Sequence, residues 1–237
     1  MKSIIKKSKE GSLGRELMGA SIGRNVEDIE QTKALGKYEV TCTGPVEEHR
    51  ARYVLLRDRI QAIKRGGKFY QMLRRASLRK MLKEFAAIPT EPKWVEVFDN
   101  LVTTVGKNDM LDKYLAGSSY TAAWYIGLIG ATSYTTGAAV TDTMASHGGW
   151  VEDVEYSQTV RPTTSWSAAA AGSKALSAAC VYSINGDGTT IKGCALTSVS
   201  TKGGTTGILF SAGLFTGGDK VLANGDTLNV SYTATLT

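Results

Sequence analysis

His49 and His147 are the whole imidazole supply of the chain, so any histidine-based acid, base or metal chemistry must use one of them. His147 lies in MASHGGW beside Ser146 and five residues after Asp142, which are the residue types of a base, a nucleophile and an orienting acid. Those three roles normally converge from separate elements, so a set this close in sequence reads as a turn or cap. Glu152 and Glu155, with Asp153 between them, offer a carboxylate pair of the kind that serves glycosidases or calcium sites. On a strand, residues three apart face opposite sides, and the pair reads instead as a solvated strand edge. Cys42, Cys180 and Cys194 are too few and too scattered for a disulfide scaffold or a zinc site and read as reduced thiols. Cys180 and Cys194 flank the NGDG turn at 185 almost symmetrically, which would allow them to meet across a hairpin. KGGTTG at 202 and TGGDK at 216 match neither the P-loop nor the dinucleotide fingerprint and read as hairpin turns. The expectation is a chain with no catalytic, metal-binding or cofactor-binding residues, not an enzyme.

Two further groups of residues could bind rather than catalyse. Trp94, Trp124, Trp150 and Trp166 fall on apolar-patterned segments, where core packing is the default. A sugar-binding platform would need two of them exposed side by side. Arg74, Arg75, Arg79, Lys80 and Lys83 concentrate on one face of a predicted helix, either as a solvated face or as an anchor for an acidic protein or nucleic acid.

The elements that would position these groups follow from how composition changes along the chain. Residues 1–93 hold 21 of the 28 Lys and Arg and 11 of the 22 Asp and Glu, a balance of +10, whereas residues 94–237 carry 7 − 11 = −4. Residues 1–45 show Gly at intervals, charges between and no sustained apolar period, and predict an extended basic anchoring arm. Residues 46–92 predict a helical segment. Pro45 suits a helix start, and Val46, Tyr53 and Ile60 fall seven apart with His49, Leu56 and Ile63 three after each, a short oligomer or packing seam. Gly66 and Gly67 end that helix, and KFYQMLRRASLRKMLKEFAAI predicts a second, with an intramolecular helical hairpin as the alternative use of the seam.

Residues 93–237 read as an all-β module of seven to nine short strands, an antiparallel sandwich or jelly roll. The clearest strand is 226–236, where Leu228, Val230, Tyr232, Ala234 and Leu236 alternate with polar residues. Turn chemistry at NGDG, KGGTTG, TGGDK and ANGD separates the strands. One short helix, NDMLDKYLA, is expected between Asn108 as cap and Gly117, with Met110, Leu111 and Leu115 plugging one end of the sandwich. The fold class is therefore α+β.

The longest apolar run, AAWYIGLIGA, has ten residues where a spanning helix needs about 20, and MKSIIKKSKEGSLGREL lacks the apolar stretch of a secretory signal. No membrane partner is expected. The +10 balance would suffice for weak, salt-sensitive phosphate contact, but only Tyr53, Phe69 and Tyr70 interleave with the basic residues, so nucleic acid is not the expected partner.

Taken as a whole, the second part resembles a group of small structural proteins of tailed bacteriophages. The stretches that carry the resemblance are NLVTTVGKNDMLDKYLAG at 100–117, AAWYIGLIG at 122–130, DTMASHGGWVEDVEYSQTVRPT at 142–163 and STKGGTTGILFSAGLFTGGDKVLANGDTLNVSYT at 200–233. The resemblance implies a β-sandwich displayed on a virion, as a capsid decoration (cement) protein, a head fibre or a tail-associated fibre. The charge split and the resemblance together give the major capsid protein as the expected partner, contacted through residues 1 to about 92, and the short seam and a virion setting favour a homo-oligomer, a trimer by preference. The alternative it leaves open is a tail or baseplate fibre that binds a host surface glycan.

Overall fold

The computed structural model describes residues 34–117, 119, 123–132 and 134–236. The chain enters on β1 (Ala34–Pro45), passes through a 3-10 turn (Glu47–His49) and the helices α1 (Arg50–Arg65), α2 (Gly67–Leu73) and α3 (Arg75–Ala86), and returns on β2 (Thr90–Asp99). β3 (Leu101–Val102), α4 (Thr104–Leu115), β4 (Tyr125–Gly130), β5 (Glu152–Asp153) and β6 (Ser165–Trp166) follow. The chain then forms β7 (Ser173–Ala178), β8 (Cys180–Ser183), β9 (Thr189–Thr197), β10 (Leu209–Leu214), β11 (Lys220–Leu222) and β12 (Thr227–Leu236).

These make an α+β molecule with two antiparallel six-stranded sheets. One has the order β2-β1-β12-β7-β6, with β8 also on β12; the other has β3-β10-β9-β4-β5, with β11 on β9. Alternation along β12 buries Leu228, Val230 and Tyr232 against the facing sheet and leaves Asn229, Ser231 and Thr233 half-exposed. Leu236, expected inside, is half-exposed because the strand outruns the core at its last residue. Ile126 and Leu128 of β4 and Cys194 and Leu196 of β9 answer from the second sheet. The outer face of that sheet is covered too: Met144 and Trp150, from the irregular stretch after β4, pack on Ile129, Ala195, Leu209 and Ala212.

The arm expected over 1–45 is corrected for its last twelve residues. Residues 34–45 form β1, a central strand paired with β12 on one side and β2 on the other, with Tyr38, Val40 and Cys42 fully buried. Residues 1–33 lie outside the described residues. The β-module is accordingly not contiguous from 93, because the helices are an insertion in the hairpin formed by β1 and β2. Pro45 pairs with Thr90 at its mouth, and Val46 N–H donates to Pro89 O at 3.2 Å. The predicted second helix is two helices, α2 and α3, parted at Arg74.

All four predicted turns carry a glycine in the left-handed region, at Gly188, Gly203, Gly218 and Gly225. Gly225 has a second constraint, since a Cβ there would sit 3.2 Å from Val54 and 3.3 Å from Tyr53 of α1. For the short helix the cap is Thr103, whose hydroxyl accepts from Gly106 N–H at 3.1 Å, five residues earlier than the expected Asn108. Gly117, at φ +64, closes it as expected. Met110 is half-buried, but Leu111 and Leu115 point to solvent and plug nothing.

The core is rich in groups that must stay neutral. Burial raises Tyr38 and Tyr182 well above the ordinary phenol value, pushes the Cys42 thiol up from 9.0 to about 12 and pushes Cys180 up to about 11. Because the folded chain holds these protons more tightly than the unfolded chain, stability is intact below pH 9 and falls as pH rises from there toward 11 and 12. Urea midpoints measured at pH 7, 9, 10 and 11 should be level up to 9 and decline beyond it. A flat profile through pH 11 would contradict the assignment.

Candidate functional site

The helical insertion is fastened to the sandwich by buried charge. Asp226, in the turn before β12, has a side chain only 1% exposed. Its Oδ1 accepts from Arg50 Nη1 of α1 at 3.0 Å and from Lys93 Nζ of β2 at 2.8 Å, and its Oδ2 accepts from Ala223 N–H at 3.0 Å. Two turns along α1, Arg57 donates to Ile184 O at 2.9 Å and to Asn224 Oδ1 at 2.7 Å. Burial works against the charge on Arg50, but its hydrogen bonds to Glu47 and Asp226 hold its pKa above the usual guanidinium value.

The predicted seam is used inside the chain. Leu56, Ile60 and Ile63 are buried, α1 packs against α3, and Tyr53 packs at a tilt on Phe85 of α3 with ring centroids 4.5 Å apart. Val46 is half-buried beside the mouth of the insertion, and His49 lies 3.2 Å from Glu48. The helical hairpin is thus the use the structure makes of these positions. The trimer preference loses the apolar stripe it was built on, because a side chain already packed within its own chain offers no area to a second copy.

Beyond the fastening, the surface changes character. Residues 59–83 hold nine Lys and Arg and no Asp or Glu. Arg74, Arg75, Arg79, Lys80 and Lys83 are all exposed, and none makes an ion pair among the described residues. On α3, Arg75, Arg79 and Lys83 follow one another at four-residue spacing opposite Leu78, Met81 and Phe85, which are the half-buried side. The sequence reading missed what lies beside them. Phe69, Met72 and Leu73 of α2 are 71%, 64% and 64% exposed, at the i, i+3, i+4 spacing of one helix face. That spacing was legible, but without tertiary contacts an outward stripe cannot be told from an inward one.

The residues considered for chemistry are held in structural roles. His147 stacks on Trp150 and its Nδ1 lies 2.9 Å from Trp150 O, while Asp142 Oδ2 accepts from Ala139 N–H at 2.9 Å rather than from the imidazole. Ser146 N–H closes a turn on Thr143. Glu152 is no solvated strand edge. Its carboxylate, 8% exposed, takes a bidentate pair from Arg161 at 2.9 and 2.8 Å and accepts from Gly203 N–H at 2.6 Å. Asp153 accepts from Thr189 Oγ1 and from Glu155 N–H. Beside it, burial lowers the Lys202 ammonium, with Glu152, Glu155 and Asp153 partly offsetting, and Lys202 donates to Tyr156 O at 2.6 Å.

Cys42, Cys180 and Cys194 are buried free thiols. Among the described residues no three His, Cys, Asp or Glu side chains converge as a metal-binding set, and no helix is long and apolar enough to cross a membrane. Of the tryptophans, Trp150 is in the core, Trp94 packs edge-on to Phe215, and Trp124 and Trp166 line one groove between the two sheets. Among the described residues, the surfaces suited to a partner include a basic, apolar-tipped insertion at one end of the sandwich and an aromatic groove at the other. Neither a protein-family model, nor a curated protein, nor a solved structure matches the chain, and the arrangement of its own residues carries the functional argument.

Proposed function

We propose that the chain is a non-catalytic structural protein of a tailed-phage virion, which docks on the major capsid protein through its helical insertion and displays the sandwich outward as a decoration (cement) protein or head fibre. The observation that carries this reading is the tip of the insertion, where Phe69, Met72 and Leu73 stand exposed within a 25-residue stretch, 59–83, that holds no acidic residue. Three large apolar side chains left in water cost free energy that a partner surface would recover, at about 25 cal/mol per Å2 of apolar area covered. The surrounding arginines and lysines select a partner whose apolar pocket is rimmed by carboxylates. Nucleic acid answers the charge but leaves the apolar trio in water, so an acidic protein surface satisfies both features.

The Asp226 fastening supports the same reading. A docking element must transmit load to the body it anchors, and Arg50 and Arg57 of α1 tie the insertion to two turns of the sandwich, at Ile184 and at Asn224 and Asp226, while Lys93 of β2 braces the same Asp226 carboxylate from within the sandwich. Placement on the tail or baseplate would use the same tip on a different virion protein, and the number of copies per particle separates the two.

The double variant Arg75→Glu, Arg79→Glu changes only exposed residues and should fold normally. It should lower the number of copies on purified particles about tenfold or more, since reversing two rim charges opposes an acidic partner directly. Unchanged stoichiometry would show that this face is merely solvated. Phe69→Ser combined with Leu73→Ser tests the apolar half of the argument and should lower incorporation at unchanged charge.

A further inference from the structure

The sandwich has a second feature that docking through the insertion does not use. β1 runs from Ala34 to Pro45, so Pro45 marks the insertion end and Ala34 the opposite end. Near Ala34, a groove of about 300 Å3 opens between the sheets beside α4. Its aromatic walls are Trp124, Trp166, Phe210 and Tyr232. Thr164 ties the two tryptophan-bearing segments together, because its N–H and its hydroxyl both donate to the Trp124 backbone carbonyl, at 2.8 and 3.0 Å, Trp166 follows two residues later, and both indoles line the groove. Each indole is then fixed by one edge-on contact, Trp124 with Phe210 at 5.3 Å and Trp166 with Tyr232 at 6.0 Å, and both remain half-buried.

Three charged groups stand in the same groove. Asp109 and Lys113 of α4 are 3.6 Å apart, and Lys174 of β7 donates to Ser167 O at 2.8 Å. An ammonium has three donors and a carboxylate about four acceptor sites, so this set has hydrogen-bonding capacity left for a ligand.

The combination selects one ligand class. An acyl chain would cover the indoles but strip water from Asp109, Lys113 and Lys174 without replacing it. A simple anion would leave the indoles unused and meet the Asp109 carboxylate. A pyranose ring has an apolar C–H face that stacks on an aromatic ring and hydroxyls around its edge that both donate and accept. We propose that this groove is a saccharide-binding site, in which a pyranose unit stacks on Trp124 and Trp166 and is hydrogen-bonded by Asp109, Lys113 and Lys174. The site is independent of where the insertion docks, and its failure would leave the capsid reading untouched.

The test is calorimetric titration of the full chain with maltohexaose, tri-N-acetylchitotriose and trigalacturonate, which represent neutral, N-acetylated and acidic sugars. At least one should bind saturably with a Kd of about 1 mM or tighter. Trp166→Ala should weaken that binding about tenfold or more, and the isosteric Asp109→Asn should weaken it several-fold with an unchanged circular dichroism spectrum. If Trp166→Ala fails to fold, Asp109→Asn decides. No saturable binding of any of the three at about 10 mM overturns the proposal. So does binding that Asp109→Asn leaves unaltered, or uptake of the apolar dye anilinonaphthalenesulfonate without uptake of sugar.

Discussion

Replacing Arg161 with Met should lower the folding stability of the chain by about 3–5 kcal/mol, seen as a drop in the urea midpoint at unchanged slope. The residue is 1% exposed, and its guanidinium makes four bonds. Two go to the Glu152 carboxylate, one to Val199 O at 2.7 Å and one to Gly204 O at 2.9 Å. Methionine fills much of the volume but supplies no donor. Two carbonyls and a carboxylate that is 8% exposed then stay desolvated, with Gly203 N–H as the remaining partner of Glu152. The cost comes from the stranded charge more than from the lost attraction, so adding Glu152→Gln to Arg161→Met should recover about 1–3 kcal/mol. A single variant within about 0.5 kcal/mol of the parent would mean that water reaches Glu152 and that the pair is not the buried clamp described.

Asp226→Ala should have the second largest effect, about 3 kcal/mol, for a related reason with a different structural consequence. Arg50 and Lys93 have side chains 13% and 24% exposed, so water compensates them in part, which places the cost at the lower end of the range. What distinguishes this substitution is where its partners lie. Arg50 belongs to α1, Lys93 to β2, and the carboxylate to the turn that starts β12. Its loss should therefore release the insertion before it unfolds the sandwich. Limited trypsin digestion should cut the basic stretch 59–83 faster while the remainder resists, and Asp226→Asn should lie between the two. Equal protection of the insertion in all three proteins would contradict its dependence on this carboxylate.

The sequence made legible whatever depends on local pattern. The period-two alternation of β12, the glycines of the four turns and the heptad spacing in α1 each reflect a constraint within about ten residues, and each appears where it was expected. β1 was missed although Tyr38, Val40 and Cys42 alternate with Lys37, Glu39 and Thr41. The signal is three apolar residues long, sits among glycines and charges, and gains its meaning from Tyr232 and Phe98 on strands 194 and 60 residues away. The same holds for the two clamps. Arg161 and Asp226 are single charged residues in turn-like sequence, and only the tertiary structure shows that each is almost wholly buried.

For the site, the charged half was readable and the apolar half was not. The basic face of α3 follows from helical spacing alone, but Phe69, Met72 and Leu73 have the spacing of an ordinary core stripe. That they face solvent follows from the shape of the insertion, whose core is already filled by α1 and α3. Trp124 and Trp166 show the converse. Four tryptophans in one module gave no means of telling which two share a groove, because that depends on the pairing of Tyr125 with Thr163 across 38 residues.

The central claim is that the basic, apolar-tipped insertion attaches this chain to a virion shell, and cryo-electron microscopy of purified particles tests it most directly. The account predicts regular copies over the icosahedral surface, with Phe69, Met72 and Leu73 buried in a capsid-protein pocket, Arg75 and Arg79 facing carboxylates, and the sandwich projecting outward. Copies that meet the shell through the sandwich while the insertion stands free in solvent, or particles that carry none, would contradict it.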